Sequence, residues 1–171
     1  MRTSYKTFLI ADTHFNDNNI LKYENRPFAD VEAMNSELIH NWNSIVHTGD
    51  FVYVLGDIGN DIAEILPSLN GTKILIRGNH DTESSEYYRK IGFADVCNYP
   101  IILDNFWILS HEPIYVNSNM PYANIFGHVH NSPMFKNYSS QHFCVSVERI
   151  NYTPISFEAI KECVKEAVNN E

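Results

Sequence analysis

Apolar residues in this chain gather into short runs that stop abruptly at glycine or a polar side chain. Phe8-Leu9-Ile10-Ala11 ends at Asp12, Val52-Tyr53-Val54-Leu55 at Gly56-Asp57, and Ile74-Leu75-Ile76 just before Gly78-Asn79. Phe106-Trp107-Ile108-Leu109 ends shortly before His111, and Asn124-Ile125-Phe126 ends at Gly127-His128. Short β-rich runs bounded in this way predict buried strands. Helical spacing predicts four helices. One covers 30–46, with Val31, Met34, Leu38, Trp42 and Ile45 on one face and Asp30 as N-cap. A short one covers 61–69 through Ile62, Ile65, Leu66 and Leu69, and another covers 83–91. A terminal helix is capped by Ser156 and turns Phe157, Ile160, Val164 and Val168 inward.

The second half is poorer in helix. Runs at 99–103, 106–110, 123–127, 142–147 and 152–155 predict neighbouring antiparallel or mixed strands forming a second sheet. Alternating β and α units followed by a β-rich half fit an α/β sandwich with helices outside, folded as one domain over 1–171. The polar segment 13–29 begins inside Asp12-Thr13-His14 and is expected to overhang whatever that motif builds.

Ligands bind beyond the carboxyl ends of strands in open α/β sheets, so the polar residues ending these runs should meet on one rim. They are carboxylates, imidazoles and one carboxamide, which suit hard or borderline divalent metals. Asp50 also follows a glycine, but it precedes its apolar run, so it is expected to be a turn residue. Val129, between His128 and His130, is expected to pack inward as the alternate residue of a strand exit.

Hydrophobic content of 44% and charged content of 19% are those of a globular domain. No apolar stretch approaches the ~20 residues needed to cross a bilayer, and residues 1–7 lack a signal-peptide h-region. A cytoplasmic location without a membrane partner is the expectation. Cys97, Cys144 and Cys163 show no CxxC spacing and are expected to be reduced thiols. A net charge of −9 disfavours a nucleic-acid polymer as partner. Nothing in the sequence sets an oligomeric state.

The ordered set Asp12-Thr13-His14, Gly56-Asp57, Gly78-Asn79-His80-Asp81, His111 and Gly127-His128-Val129-His130 resembles the calcineurin-like metallophosphoesterases. Asn25-Arg26-Pro27-Phe28 and Asn41-Trp42-Asn43 add a resemblance to a small bacterial and phage-associated branch of that superfamily. The resemblance implies a four-layer α/β/β/α sandwich with two mixed sheets and a pair of divalent transition metals, manganese first, with iron, zinc or nickel as alternatives. It implies that Asp12, His14 and His130 hold one metal, that Asn79, His111 and His128 hold the other, and that Asp57 bridges them. His80 would be the catalytic proton donor or oxyanion stabiliser. Its orienting partner is open between Asp81, Asp61 and none, because Asn60 stands where some relatives carry the second Asp of Gly-Asp-x-x-Asp. Asn16-Asp17 replaces the Gly-His that similar sequences often carry after Asp-x-His-Phe, and makes the mouth more acidic.

The implied reaction is attack of a metal-bridged hydroxide on a small phosphate ester, a diester and nucleotide-sized substrate being favoured. A phosphomonoesterase or protein phosphatase is the rival enzyme, and a non-catalytic scaffold the rival of another class. Arg26 is either a bidentate phosphate clamp or an ordinary solvated or salt-bridged side chain; its geometry separates the two ester classes. Asn16 is a candidate phosphate neighbour. His40, His47 and His142 are expected to be structural, and Arg77 to support the Gly78-Asn79 turn.

Overall fold

The computed structural model describes residues 4–135 and 139–169; the start of the segment read for a leader lies outside them. Four parallel strands, β1 (Thr7–Ile10), β2 (Phe51–Val54), β3 (Thr72–Ile76) and β4 (Asp95–Cys97), lead the chain into one sheet. β5 (Ile101–Leu103), β6 (Trp107–Leu109), β7 (Ala123–Phe126) and β8 (His142–Cys144) form a second sheet in sequence order, with β5 antiparallel and the rest parallel. β9 (Ile155–Ser156) returns to the first sheet, antiparallel to β1, giving the order β4-β3-β2-β1-β9. Helices α1 (Asn18–Tyr23), α2 (Val31–Ile45), α3 (Ser85–Ile91) and α4 (Phe157–Asn169), with short 3-10 turns at Leu66–Ser68, Pro133–Phe135 and Val147–Arg149, complete the described elements. The result is the expected α/β arrangement of two mixed sheets flanked by helices.

Period-two alternation divides the core. Phe8 and Ile10 of β1 pack in the cluster that holds Val31, Met34, Leu38 and Trp42 of α2. Leu9 and Ala11, on the opposite face, join Leu55, Ile76, Leu109, Ile125 and Val145 between the sheets. α4 adds Phe157, Ile160 and Val164 to that inter-sheet cluster. Segment 111–122 crosses the outer face of the second sheet, where the Ile114 amide donates to Asn124 Oδ1 at 2.8 Å and Ile114 oxygen lies 2.8 Å from His142 Nε2.

Local chemistry explains most boundaries. Asp30 accepts from the Ala33 amide at 2.8 Å, Ser84 from the Tyr87 amide at 3.1 Å, and Ser156 from the Ala159 amide at 3.2 Å. Asp50 is a turn residue, accepting from the Lys6 and His47 amides at 2.8 and 2.9 Å. Several expectations change. Residues 61–69 form turns closing in a 3-10 turn at Leu66–Ser68, because Pro67 has no amide to continue a helix. Ile62, Ile65, Leu66 and Leu69 are buried nevertheless. The 13–29 segment contains α1, with Asp17 accepting from the Asn19 amide. The 152–155 run feeds β9 and so the first sheet, and Val168 is exposed near the end of α4. β4 is too short for its apolar pattern to be seen.

Candidate metal centre

Parallel register sets the strand ends level. Ile10 pairs with Val54, and Val54 with Leu75, so the residues that follow emerge together. The Asp12 amide then donates to Gly56 oxygen and the His14 amide to Asp57 oxygen, each at 3.0 Å. In the second sheet, the Gly127 amide donates to His111 oxygen at 2.9 Å. An isolated parallel bridge between Ala11 and Ser146 joins the two sheets at this same edge.

The backbone turns sharply where the functional side chains leave it. Asp12, His14, Asp57, His128 and His130 have φ of 58°, 48°, 55°, 69° and 45°. That left-handed region costs a side-chain-bearing residue free energy, and such residues gather at functional sites. Two glycines permit the close approach. A Cβ on Gly78 would collide with Asp57 Oδ1, and one on Gly127 with Ala11 Cβ and Asp12 Oδ2. The expected burial of Val129 holds, at 8% exposure, but it lies in a turn between two left-handed residues and not in a strand exit.

Asp12, His14 and His130 offer donor atoms that all lie within 4.8 Å of one another, and so do Asp12, Asp57 and His111. Asp57 Oδ2 stands 3.6 Å from His14 Nε2 and 3.4 Å from His111 Nε2, which places it between the two groups. Asn79 Oδ1 is 2.9 Å from His111 Nε2 and 3.0 Å from His128 Nδ1, and those two nitrogens are 3.1 Å apart. His111 Nδ1 lies 2.8 Å from Leu55 oxygen; as its donor it leaves Nε2 with a bare lone pair. Carboxamide oxygen is likewise only an acceptor. Three electron-pair donors thus crowd together, with at most the His128 proton to share. His14 Nε2 is buried and has no hydrogen-bond partner among the described residues. Unpaired buried polar atoms of this kind are costly unless something electrophilic meets them. The donor set therefore fits divalent cations of the imidazole- and carboxylate-binding type.

Electrostatics agree. Burial, aided by Asp57 and opposed by His130, His111 and a Ser146 hydrogen bond, pushes the Asp12 carboxyl up to about 6. Burial, with His130 and Arg26 next in size, pushes His14 down to about 2, so its imidazole is neutral and ready to donate a lone pair.

Three expectations for individual residues require correction or refinement. Arg26 is buried and turned away from the mouth. Its Nε donates to Glu148 Oε1 at 2.9 Å, one terminal nitrogen to Thr13 oxygen at 2.8 Å, and the other to Asp12 oxygen at 2.6 Å. Its fork is occupied by the protein, so it is no phosphate clamp. Asp81 does not orient His80. Its carboxylate accepts from the Asp57, Gly78 and Ile58 amides at 2.8, 2.8 and 3.1 Å, tying the second and third strand-end turns together. Burial raises its pKa, with those amides opposing. The carboxamide of Asn16 is engaged with Asn60 oxygen at 2.9 Å and Asn35 Nδ2 at 2.7 Å, although the residue still lines a cavity beside His80.

His80 stands exposed. Its amide donates to Asp57 Oδ1 at 2.9 Å and its ring lies edge-on to His14 at 5.3 Å. Arg77 supports the turn as expected, donating to Asp81 oxygen and to Asn98 Oδ1. Glu148 escaped the sequence reading. The run 142–147 ends at Glu148, so the strand-end rule that marked the candidate ligands would have marked it too.

Comparison with known proteins agrees with this geometry. The sequence profile of the calcineurin-like phosphoesterases matches residues 5–163. The chain belongs to that family, whose members are metal-dependent phosphate ester hydrolases. It is 38% identical over 170 residues to the uncharacterised protein MJ1445 of Methanocaldococcus jannaschii, covering 94% of this chain and 92% of that one. Its fold is similar to a protein of unknown function, AQ665, from Aquifex aeolicus, with a TM-score of 0.72, 25% identity, and coverage of 93% of this chain and 99% of the other. It also resembles nuclease MPE from Pseudomonas putida, with a TM-score of 0.50 and 21% identity over 72% of this chain and 61% of that one, a likeness of fold alone.

Proposed function

We propose that this chain is a dinuclear phosphodiesterase acting on a small, nucleotide-sized ester. The observation that carries the reading is the convergence of Asp12, His14 and His130 on one side of Asp57 and of Asn79, His111 and His128 on the other. One cation would be held by each group, with Asp57 between them. Manganese is the first choice, and iron, zinc or nickel also suit imidazole and carboxylate. Bound there, the cations would supply Lewis acidity toward the phosphoryl oxygens and toward the attacking water.

The protein's own groups do the rest. Neutral His14, and His111 with its Nδ1 donating to Leu55 oxygen, leave their Nε2 lone pairs directed inward. The Asp57 carboxylate holds the His80 amide, which fixes the peptide that carries the exposed imidazole. His80, through Nδ1 or Nε2, would give a proton to the leaving oxygen. A cavity of about 420 Å³ beside it, lined by Asn16, Asn60, Asp61, Glu83 and Tyr87, accepts the leaving arm. No helix among the described residues is long and apolar enough to cross a membrane, and the working location proposed is the cytoplasm.

The inward turn of Arg26 favours a diester. A terminal phosphate dianion usually needs a free guanidinium beyond the metals, and the candidate for that role is consumed by Glu148, Thr13 and Asp12. Asp17, Glu24 and Glu112 near the mouth repel a dianion more than a monoanion, and a long polyanion most. Retention of every ligand position and of His80 argues against a scaffold without catalysis. The test is a kcat/KM comparison of manganese-loaded protein on nitrophenyl diesters, the matching monoesters and duplex DNA. Diesters should lead and DNA should be cut poorly. A tenfold preference for monoesters, or efficient DNA cleavage at physiological salt, would overturn the assignment.

A further inference from the structure

Glu148 lies outside the ligand set, yet it touches His130 of one metal-holding group and the arginine that backs the other two members. Its Oε1 is 3.0 Å from His130 Nδ1, 2.9 Å from Arg26 Nε and 2.7 Å from an Arg26 terminal nitrogen. Side-chain exposure is 4% for Glu148 and 0% for Arg26, so these are charge-assisted contacts shielded from solvent. Through Arg26 the same carboxylate reaches the carbonyls of Asp12 and Thr13, the backbone that presents Asp12 and His14. Residues from the start of the chain and from the end of the second sheet are thereby tied at one oxygen atom.

We infer that Glu148 is a positioning residue: by accepting the His130 Nδ1 proton it leaves Nε2 bare toward Asp12 and His14, and with Arg26 it fixes the turn that carries them. The inference rests on the metal-centre reading above and assigns a role to a residue that reading does not use. The alternative, that Glu24, His130 and Glu148 hold a further cation, meets an obstacle. The Arg26 guanidinium already sits on Glu148 Oε1 and would repel such an ion. Carboxylates behind metal-bound imidazoles set ring orientation and basicity, and losing one typically costs about 10–100-fold in metal affinity.

The test is calorimetric titration of the metal-free full chain with Mn²⁺, paired with long-range ¹H–¹⁵N spectra of its imidazoles at pH 8. Wild type should bind two ions and show His130 protonated at Nδ1. Glu148→Gln is nearly isosteric and keeps an acceptor for Arg26. It should weaken one of the two sites about 10–100-fold, leave the other within about twofold, and shift His130 toward the other tautomer. If that variant does not fold, Glu148→Asp, which keeps the charge but withdraws the oxygen by one methylene, should give the same one-site loss. Two unchanged affinities, equal losses at both sites, or an unaltered tautomer would overturn the positioning role. Failure of the wild type to bind two ions, or full binding by His130→Ala, would instead overturn the metal-centre reading on which it rests.

Discussion

Asp12 and His14 are 0% and 3% exposed, whereas Asn79, His80 and His128 stand open to solvent on the same rim. Both groups leave the ends of parallel strands, so topology does not separate them. What differs is the support behind each. The Asp12 side is backed by a buried arginine, a buried glutamate and a carbonyl-bound turn. On the other side, His111 is anchored to Leu55 oxygen and the His128 amide donates to Asp12 Oδ1 and Oδ2 at 3.0 and 2.8 Å, but the Asn79 and His128 side chains meet only each other and His111 among the hydrogen bonds described. One side is built to hold position without a ligand; the other leaves its donor atoms reachable by solvent and substrate. The same strand-end device thus yields a rigid wall and an accessible one, according to what lies underneath.

The most severe way to break the comparison is to remove the group shared by both sides. Asp57→Asn should abolish occupancy of both sites and lower kcat/KM by at least about 10³-fold, roughly 4 kcal/mol of transition-state stabilisation. Elemental analysis beside the kinetics checks it, and full occupancy at normal rate would refute it. Next comes the brace. Arg26→Ala leaves Glu148 buried without its cation and should cost about 3–5 kcal/mol of folding stability. Chemical denaturation of the metal-free chain reads this directly, and a loss below about 0.5 kcal/mol, the scale of ordinary surface changes, would show that the buried pair does not brace the fold. On the open side, His80→Gln should lower kcat about 100-fold while metal content stays unchanged, since a proton donor acts on the ester alone. Metal loss in that variant would instead make His80 part of the holding set. The smallest effect belongs to segment 111–122, where Tyr115 is 70% exposed. Tyr115→Ser should shift stability by no more than about 0.5 kcal/mol; a larger loss in a thermal melt would show that this segment is held as firmly as the one carrying Arg26.

Much of this was legible in the sequence, because it depends on periodicity and on what ends each run. The Asp12, Asp57, Asn79, His111 and His128 strand exits followed from that pattern, as did the Asp30 and Ser156 caps. What was not legible depends on where distant chain arrives. Arg26 points inward because Glu148, 122 residues later, waits beneath it. Asp81 serves three backbone amides because register brings the Asp57 and Gly78 turns together, so its nearness to His80 in sequence was misleading. The 152–155 run reads like its neighbours but crosses back to pair with β1. Pro67 was visible and should have weighed against a helix over 61–69.

The inward arginine also constrains how such a protein can be re-engineered or can diversify. Two long segments flank the rim, and each looks like a place where new substrate contacts could be installed. The 13–29 segment cannot be exchanged freely, since any replacement must return an arginine to the Asp12 and Thr13 carbonyls and to Glu148. Tyr115 and the turn at 118–121 carry no such charged brace among the described residues; the turn is tied by Met120 oxygen, which accepts from Gln141 Nε2 at 3.2 Å. Grafted loops and selected libraries belong there, where novelty can be added without disturbing the wall on the opposite side.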